Sequence, residues 1–272
     1  MKLDGVPEHK RNTAAETPAP IIDRSASIKG LLTTFDNSRG PLSIRLNAAY
    51  ETGKTTFLDQ LQKTADKDKF IIIYYNAWEE EISLDARSSL CLKLLSEIQN
   101  LNTEENFQSS ILKYQKAILP FIASAGTAVI SRVIFRDHEA LENIINAVKP
   151  EQEIRKLMDE KFAELQQNSS TIDAVKSSLK SLLDILSGKK IILLIDELDR
   201  CRPDFAMEVL ETVKHFFSIE KVFALVGVDE NILHSIIKKR YGDTIDCEGY
   251  LLRHFSSEMQ FSEFSYQQYC MD

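Results

Sequence analysis

At 272 residues and 31.0 kDa, with 43% hydrophobic and 27% charged residues, the chain can bury the core of one large globular domain or of a domain carrying an inserted subdomain. A net charge of -8 and a pI near 5.3 argue against the broad basic surface that sequence-independent nucleic-acid binding needs. Cys91, Cys201, Cys247 and Cys270 lie far apart with no CxxC pair. They signal neither zinc nor a disulfide framework and point to a reducing cytoplasm, while a charged, proline-bearing start excludes a secretory signal.

Residues 1–26 read as a peripheral lead-in, 27–264 as one domain and 265–272 as a tail. Ser27 to Phe35 has the spacing of a short helix. After Pro41, the alternation of Leu42, Ile44 and Leu46 predicts a strand with Ser43, Arg45 and Asn47 on its other face. Residues 47–56 (NAAYETGKTT) then form a phosphate-binding loop of the pattern G-x-x-x-x-G-K-[ST]. Gly53, Lys54 and Thr55 fill its last fixed positions, and Ala48 stands in place of the first glycine. Phe57, Leu58 and Leu61 recur at helical spacing, so the loop lies between a strand and a helix, as anion binding by backbone amides requires.

Phe70 to Tyr75 (FIIIYY) predicts a strand covered on both faces. It runs into Asn76, Ala77 and Trp78, with Trp78 expected as core packing behind the loop. A helix is predicted over Leu84 to Ile98, followed by a polar break at Asn100 to Asn106. Residues 109–187 show no strand pattern and read as a helical insertion. Within it, Ile154, Leu157, Met158, Phe162 and Leu165, then Ile172, Val175, Leu179, Leu182, Leu183 and Leu186, repeat at helical period, with Asn168, Ser169 and Ser170 as the break and Gly188 as the stop. The uncharged stretch Ala117 to Ser131 falls short of the ~20 apolar residues a spanning helix needs. A buried helical hairpin is therefore expected over a membrane-dipping insertion.

Ile191 to Ile195 (IILLI) predicts a second buried strand, leading into Asp196, Glu197, Leu198, Asp199 and Arg200. A helix over Phe205 to Phe217, a strand over Val222 to Val228 ending at Asp229, a helix over Glu230 to Tyr241 and a last strand over Met259 to Phe264 follow. The repeated strand-then-helix order implies a three-layer α/β domain with a mostly parallel sheet, here carrying the phosphate-binding P-loop. The helical insertion falls between the second strand and the acidic strand.

The chemistry follows from the two strand ends. Ala48, Glu51, Thr52, Gly53, Lys54, Thr55 and Thr56 form the nucleotide-binding loop, whose amides converge at a helix N-terminus. Lys54 is expected on the β and γ phosphates of ATP, and Thr55 with Asp196 on Mg2+. Glu197 is the first choice for orienting the attacking water and Asp199 the second. Asp229 is either a γ-phosphate sensor or a helix cap. Glu51 opposes phosphate binding if it faces inward, whereas outward it is solvated. Arg200, Arg240 and Arg253 are candidates to stabilise transition-state charge, Arg200 being equally suited to pairing with a neighbouring carboxylate.

LNAAYETGKTTFL, YYNAW, IILLIDELDRC, VFALVGVD and YLLRHF, in this order, resemble the KAP-type P-loop NTPases from Asp23 to about Phe264. That family shows a Gly-x-Trp-Gly-x-Gly-Lys-Thr loop, an F-N-A-W motif and a D-D-L-D-R-C strand end. Asn76-Ala77-Trp78 and Leu198-Asp199-Arg200-Cys201 match it, and Arg253 falls at a basic position of its Y-L-x-K element. Ala48, Tyr50, Glu51 and Glu197 depart from it, putting turnover in question more than the fold. The resemblance implies a regulatory ATPase of bacterial type linked to phage exclusion, acting as a switch through self-association or a protein partner. The family's insertion often carries transmembrane segments, and with only Phe264 to Asp272 after the last predicted strand the expectation is either a fragment or a minimal protein without the family's usual lid or effector portion. The competing reading is a degenerate nucleotide-binding or protein-interaction module without turnover.

Overall fold

The computed structural model describes residues 24–49, 52–82, 84–99, 101, 105–122, 168–186 and 188–261. In chain order the elements are α1 (Ser25–Asn37), β1 (Leu42–Asn47), α2 (Lys54–Thr64), β2 (Phe70–Asn76), α3 (Ala77–Glu80), α4 (Ala86–Gln99), α5 (Glu105–Ile122) and α6 (Asn168–Ile185). They continue with β3 (Lys190–Asp196), a 3₁₀ turn (Leu198–Arg200), α7 (Pro203–Phe216), β4 (Val222–Val228), α8 (Glu230–Tyr241), α9 (Cys247–Leu251) and β5 (Ser257–Gln260).

The five strands form one sheet in the order β2-β3-β4-β1-β5, every neighbouring pair parallel. Successive side chains of a strand point to opposite faces, and here that alternation sorts the core into two halves. Ile192 and Leu194 of β3 join Phe223 and Leu225 of β4 under Ile28, Leu31 and Phe35 of α1 and Phe57, Leu58 and Leu61 of α2. Ile191, Leu193 and Ile195 face the other way with Val222, Ala224, Val226 and Val228, under helices α4 to α9. This is the three-layer α/β arrangement, with β3 and β4 buried along their length because helices cover both faces.

β4 lies between β1 and β3, so the strand that opens the phosphate loop and the strand that ends in acids flank one central strand. β1 carries an amphipathic compromise. Ile44 and Leu46 pack under α1 and α2, while Arg45, only 5% exposed, projects to the other face and is held by Glu248 and Glu258.

The structure refines or corrects the sequence expectations at several places. β2 is an edge strand: Ile71, Ile73 and Tyr75 are buried on one face, while on the other Phe70 is buried and Ile72 and Tyr74 are half-buried against the core, so the cover expected on both faces of the Phe70 to Tyr75 run is complete on one and partial on the other. Trp78 is 49% exposed and is not core packing; it follows Asn76, whose side chain starts α3 by accepting from the Trp78 and Glu79 amides and turns the ring outward. Asn168 to Ser170 form the first turn of α6, so that helix begins at the expected break instead of after it, and the helix expected before it lies outside the described residues. The last described strand begins at Ser257, two residues before the expected Met259, where Ser256 N–H donates to the Ser43 carbonyl and brings the chain onto β1. α5 pairs with α6, α5 leans on α4 and α6 on α7. The helical pattern over Ile154 to Leu165 lies outside the described residues.

Candidate functional site

The loop leaves β1 at Asn47, whose side chain is fixed by its surroundings. Its Oδ1 accepts from the Glu230 N–H (3.2 Å), and its Nδ2 donates to Glu258 (3.0 Å) and to Glu230. Ala48 N–H donates to the Val228 carbonyl (3.1 Å), tying the loop to the tip of β4. Thr52 N–H and hydroxyl both donate to the Ala49 carbonyl, at 3.4 and 2.7 Å. Arg24 donates to the Thr52 carbonyl (2.9 Å) from the start of α1, its guanidinium stacked 3.3 Å from the centre of the Phe261 ring. Gly53, the residue before α2, adopts φ +84° and ψ +30°. That left-handed turn suits glycine and lets the helix begin at Lys54 with its first amides open to an anion. Tyr50 and Glu51 lie outside the described residues.

Lys54 Nζ donates to the Ala48 carbonyl (2.8 Å) and forms an ion pair with Asp199 Oδ2 (3.2 Å). Asp199 Oδ2 also accepts from the Asp229 N–H at 2.8 Å. Asp196, 1% exposed at the end of β3, accepts from the Tyr74 hydroxyl (3.0 Å) on Oδ2 and from the Glu197 N–H (2.9 Å) on Oδ1. Burial and then the adjacent Asp196 charge push the Tyr74 hydroxyl well above its ordinary pKa, so it stays a donor. Among the described residues Asp196 has no ion-pair partner: a buried carboxylate is balanced by two neutral donors only.

Glu197 adopts φ +58°, ψ +24°, a left-handed conformation uncommon outside glycine and costly enough to need support from its surroundings. The support is visible. Its Oε2 accepts from Asn76 Nδ2 (3.2 Å) and its Oε1 pairs with Arg200 (3.0 Å), whose guanidinium lies 5.8 Å from the centre of the Trp78 ring. Asn76 therefore caps α3 with its oxygen and holds Glu197 with its nitrogen.

Gly53, Lys54, Thr55, Asp196, Glu197, Asp199 and Arg200 line one open cavity of about 330 Å³. The two segments singled out in the sequence thus meet. Other predicted residues stand outside this lining. Ala48 and Thr52 contribute backbone at its margin. Thr56 is exposed on α2. Asp229 caps α8 by accepting from the Asn231 N–H at 3.0 Å, which is the capping alternative of the sequence reading. Arg253 is exposed in the turn after α9, and Arg240 pairs with Asp204 at 2.9 Å. Asp199, expected as a second choice for activating water, instead holds Lys54. Sequence reasoning assigned no role to Tyr74, Asn76 or Arg24. Of these, Tyr74 carried no signal in the sequence alone, because the pairing that sets it opposite Leu194, on the same face as Asp196, is fixed only by the sheet.

Residues 21–252, most of the chain, match the P-loop domain of the KAP family. The chain belongs to the KAP family. An uncharacterized protein of Methanocaldococcus jannaschii is 27% identical over 178 residues, covering 57% of this chain and 88% of that protein. The KAP domain described here holds no helix long and apolar enough to cross a membrane among its described residues. The uncharged stretch beginning at Ala117 is described as far as Ile122, within α5, and its remainder lies outside the described residues.

A larger hollow of about 410 Å³ between α4, α6, α7 and α8 lacks comparable convergence, because its arginines are already paired, Arg87 with Glu208 and Arg240 with Asp204. A third grouping, Glu230, His234 and Glu248, brings ligand atoms within 4.8 Å of one another. Glu248 there is engaged by Arg45 and His234, which makes the group a link between α8, α9 and β1.

Proposed function

We propose that this KAP domain binds ATP with Mg2+ and hydrolyses it as a regulatory switch. The observation that carries the reading is the convergence of the Lys54 ammonium and the Asp196 and Glu197 carboxylates on one cavity at the N-terminus of α2. The helix amides and Lys54 bind and orient the β and γ phosphates. The residues fit Mg2+, a hard cation that takes oxygen ligands and keeps several waters. Asp196 is a buried carboxylate facing the cavity with no cation of its own among the described residues, and the Thr55 hydroxyl is the second oxygen donor. When bound, Mg2+ neutralises charge on the phosphate oxygens.

Glu197 orients the attacking water and takes its proton. Its left-handed backbone and its two side-chain partners hold the carboxylate ready at the cavity wall. Arg200, on that same wall, is the cavity-lining arginine able to meet developing negative charge once its pairing with Glu197 loosens. Arg253, exposed and outside the lining, acts only in a neighbouring copy, which ties turnover to self-association. A role in excluding phage from a cytoplasm follows from the family resemblance and is part of this proposal.

Phosphate release by wild type, Lys54→Ala and Glu197→Gln, with calorimetric titration of Mg·ATP, tests it. Turnover by wild type alone, with Glu197→Gln still binding, is expected. Equal background from all three proteins with binding retained would leave a nucleotide-binding module without turnover. The departure that favours that second reading is Ala48, which stands in place of the first glycine of the loop pattern.

A further inference from the structure

The Lys54 ammonium has three protons to donate, and two of them are already used inside the protein, on the Ala48 carbonyl at 2.8 Å and on Asp199 at 3.2 Å. Both members of the ion pair are nearly excluded from water, with side chains 10% and 6% exposed. An anion approaching this lysine does not replace loosely held water; it competes with a resident carboxylate in a medium where charge attraction is strong. Resting on the nucleotide-binding reading above, we infer that Asp199 is a built-in competitor: its carboxylate takes the place of a phosphate at Lys54, and the triphosphate binds by displacing it.

The surroundings give the displacement a consequence. The Asp199 oxygen that holds Lys54 also accepts from the Asp229 N–H at 2.8 Å, the residue that caps α8. A carboxylate beside an arriving triphosphate is repelled, so both contacts break together. Asp199 and Arg200 are neighbours on one 3₁₀ turn, and Arg200 holds Glu197. Movement of Asp199 therefore shifts the turn that restrains Glu197 and frees an amide at the start of α8. Occupancy of the phosphate site is read at two places by one side chain. The latch also discriminates by phosphate number, since only a nucleotide bearing β and γ phosphates reaches Lys54 to displace the carboxylate.

Asp199→Asn keeps the shape and the acceptor for Asp229 N–H while removing the charge. Calorimetric titration with Mg2+ and the non-hydrolysable β,γ-imido analogue of ATP should show binding about tenfold tighter than wild type, equivalent to about 1.4 kcal/mol. AMP, which lacks the β and γ phosphates that meet Lys54, should gain less than the analogue. Equal or weaker binding of the analogue by a folded Asp199→Asn protein overturns the inference and leaves nucleotide binding standing. Absence of binding by wild type and variant alike removes both. If the variant does not fold, amide exchange on the wild-type protein decides. With saturating analogue the Asp229 amide should exchange faster while amides of residues 52–56 are protected. Loop protection without faster exchange at Asp229 refutes the latch alone, and no protection at either place refutes nucleotide binding as well.

Discussion

Gly53→Ala isolates what the phosphate loop demands of its backbone. Gly53 has φ +84°, yet a Cβ added there meets nothing nearer than Thr56 Cβ at 4.0 Å. Alanine therefore has room, and its penalty is conformational. A left-handed alanine costs about 1–2 kcal/mol. About 0.4–1 kcal/mol of that is offset because alanine also restricts the unfolded chain. The net loss is about 1 kcal/mol, or about 2–4 °C in the unfolding midpoint for a domain near this size. Asparagine, which tolerates the left-handed region, should recover most of it. Nucleotide affinity should fall by no more than about tenfold, because a penalty near 1 kcal/mol cannot account for more. Urea unfolding and calorimetric titration with Mg·ATP on wild type, Gly53→Ala and Gly53→Asn measure both quantities. A stability loss above about 3 kcal/mol, or an asparagine variant as poor as alanine, would mean that the position needs space as well as conformation, contrary to this reasoning.

Other consequences can be checked separately. The hydrogen bond from Arg45 holds Glu248 below its ordinary 4.5, and at Glu258 the same arginine, with Gln260 and Asn47, outweighs an upward push from burial. Depressed carboxylates contribute stability that is present above their unfolded value and lost as pH falls through the folded one. The wild-type midpoint should therefore drop on acidification below about pH 4.5, and Arg45→Gln, less stable at neutral pH, should show a shallower drop in a fluorimetric melt series. Phe223 is buried in the central strand against Phe35, ring centres 4.9 Å apart, and Phe223→Ala should cost about 3–5 kcal/mol in urea unfolding. Burial pushes the Cys91 and Cys201 thiols up to about 12. Both should resist a disulfide reagent at pH 8 in the native protein and react at once in denaturant.

Much of the architecture is legible from short windows of sequence because its causes are local. The apolar alternation of Leu42, Ile44 and Leu46 and the unbroken IILLI and VFALVGV runs mark strands. Gly53-Lys54-Thr55 marks a turn into a helix, and Glu230 to Tyr241 forms the helix its spacing predicts. The Trp78 expectation failed because apolar character was read without the Asn76 cap that turns α3 outward. The cover expected on both faces of β2 is only partial on the Ile72 and Tyr74 side, because an apolar run says nothing about whether a strand sits at the edge of its sheet.

What the chain's own order of residues determined is the layered α/β class and the presence of an amine-bearing loop and an acid-bearing strand end, since each depends on neighbours within a few positions. The tertiary structure alone decided that β4 separates β1 from β3. It also decided that Asn76 and Arg200 share Glu197, and that Asp199 reaches Lys54 across 145 positions of chain. The physical reason is that a charged side chain chooses its partner by distance and desolvation, and both are set only when the strands have taken their places in the sheet.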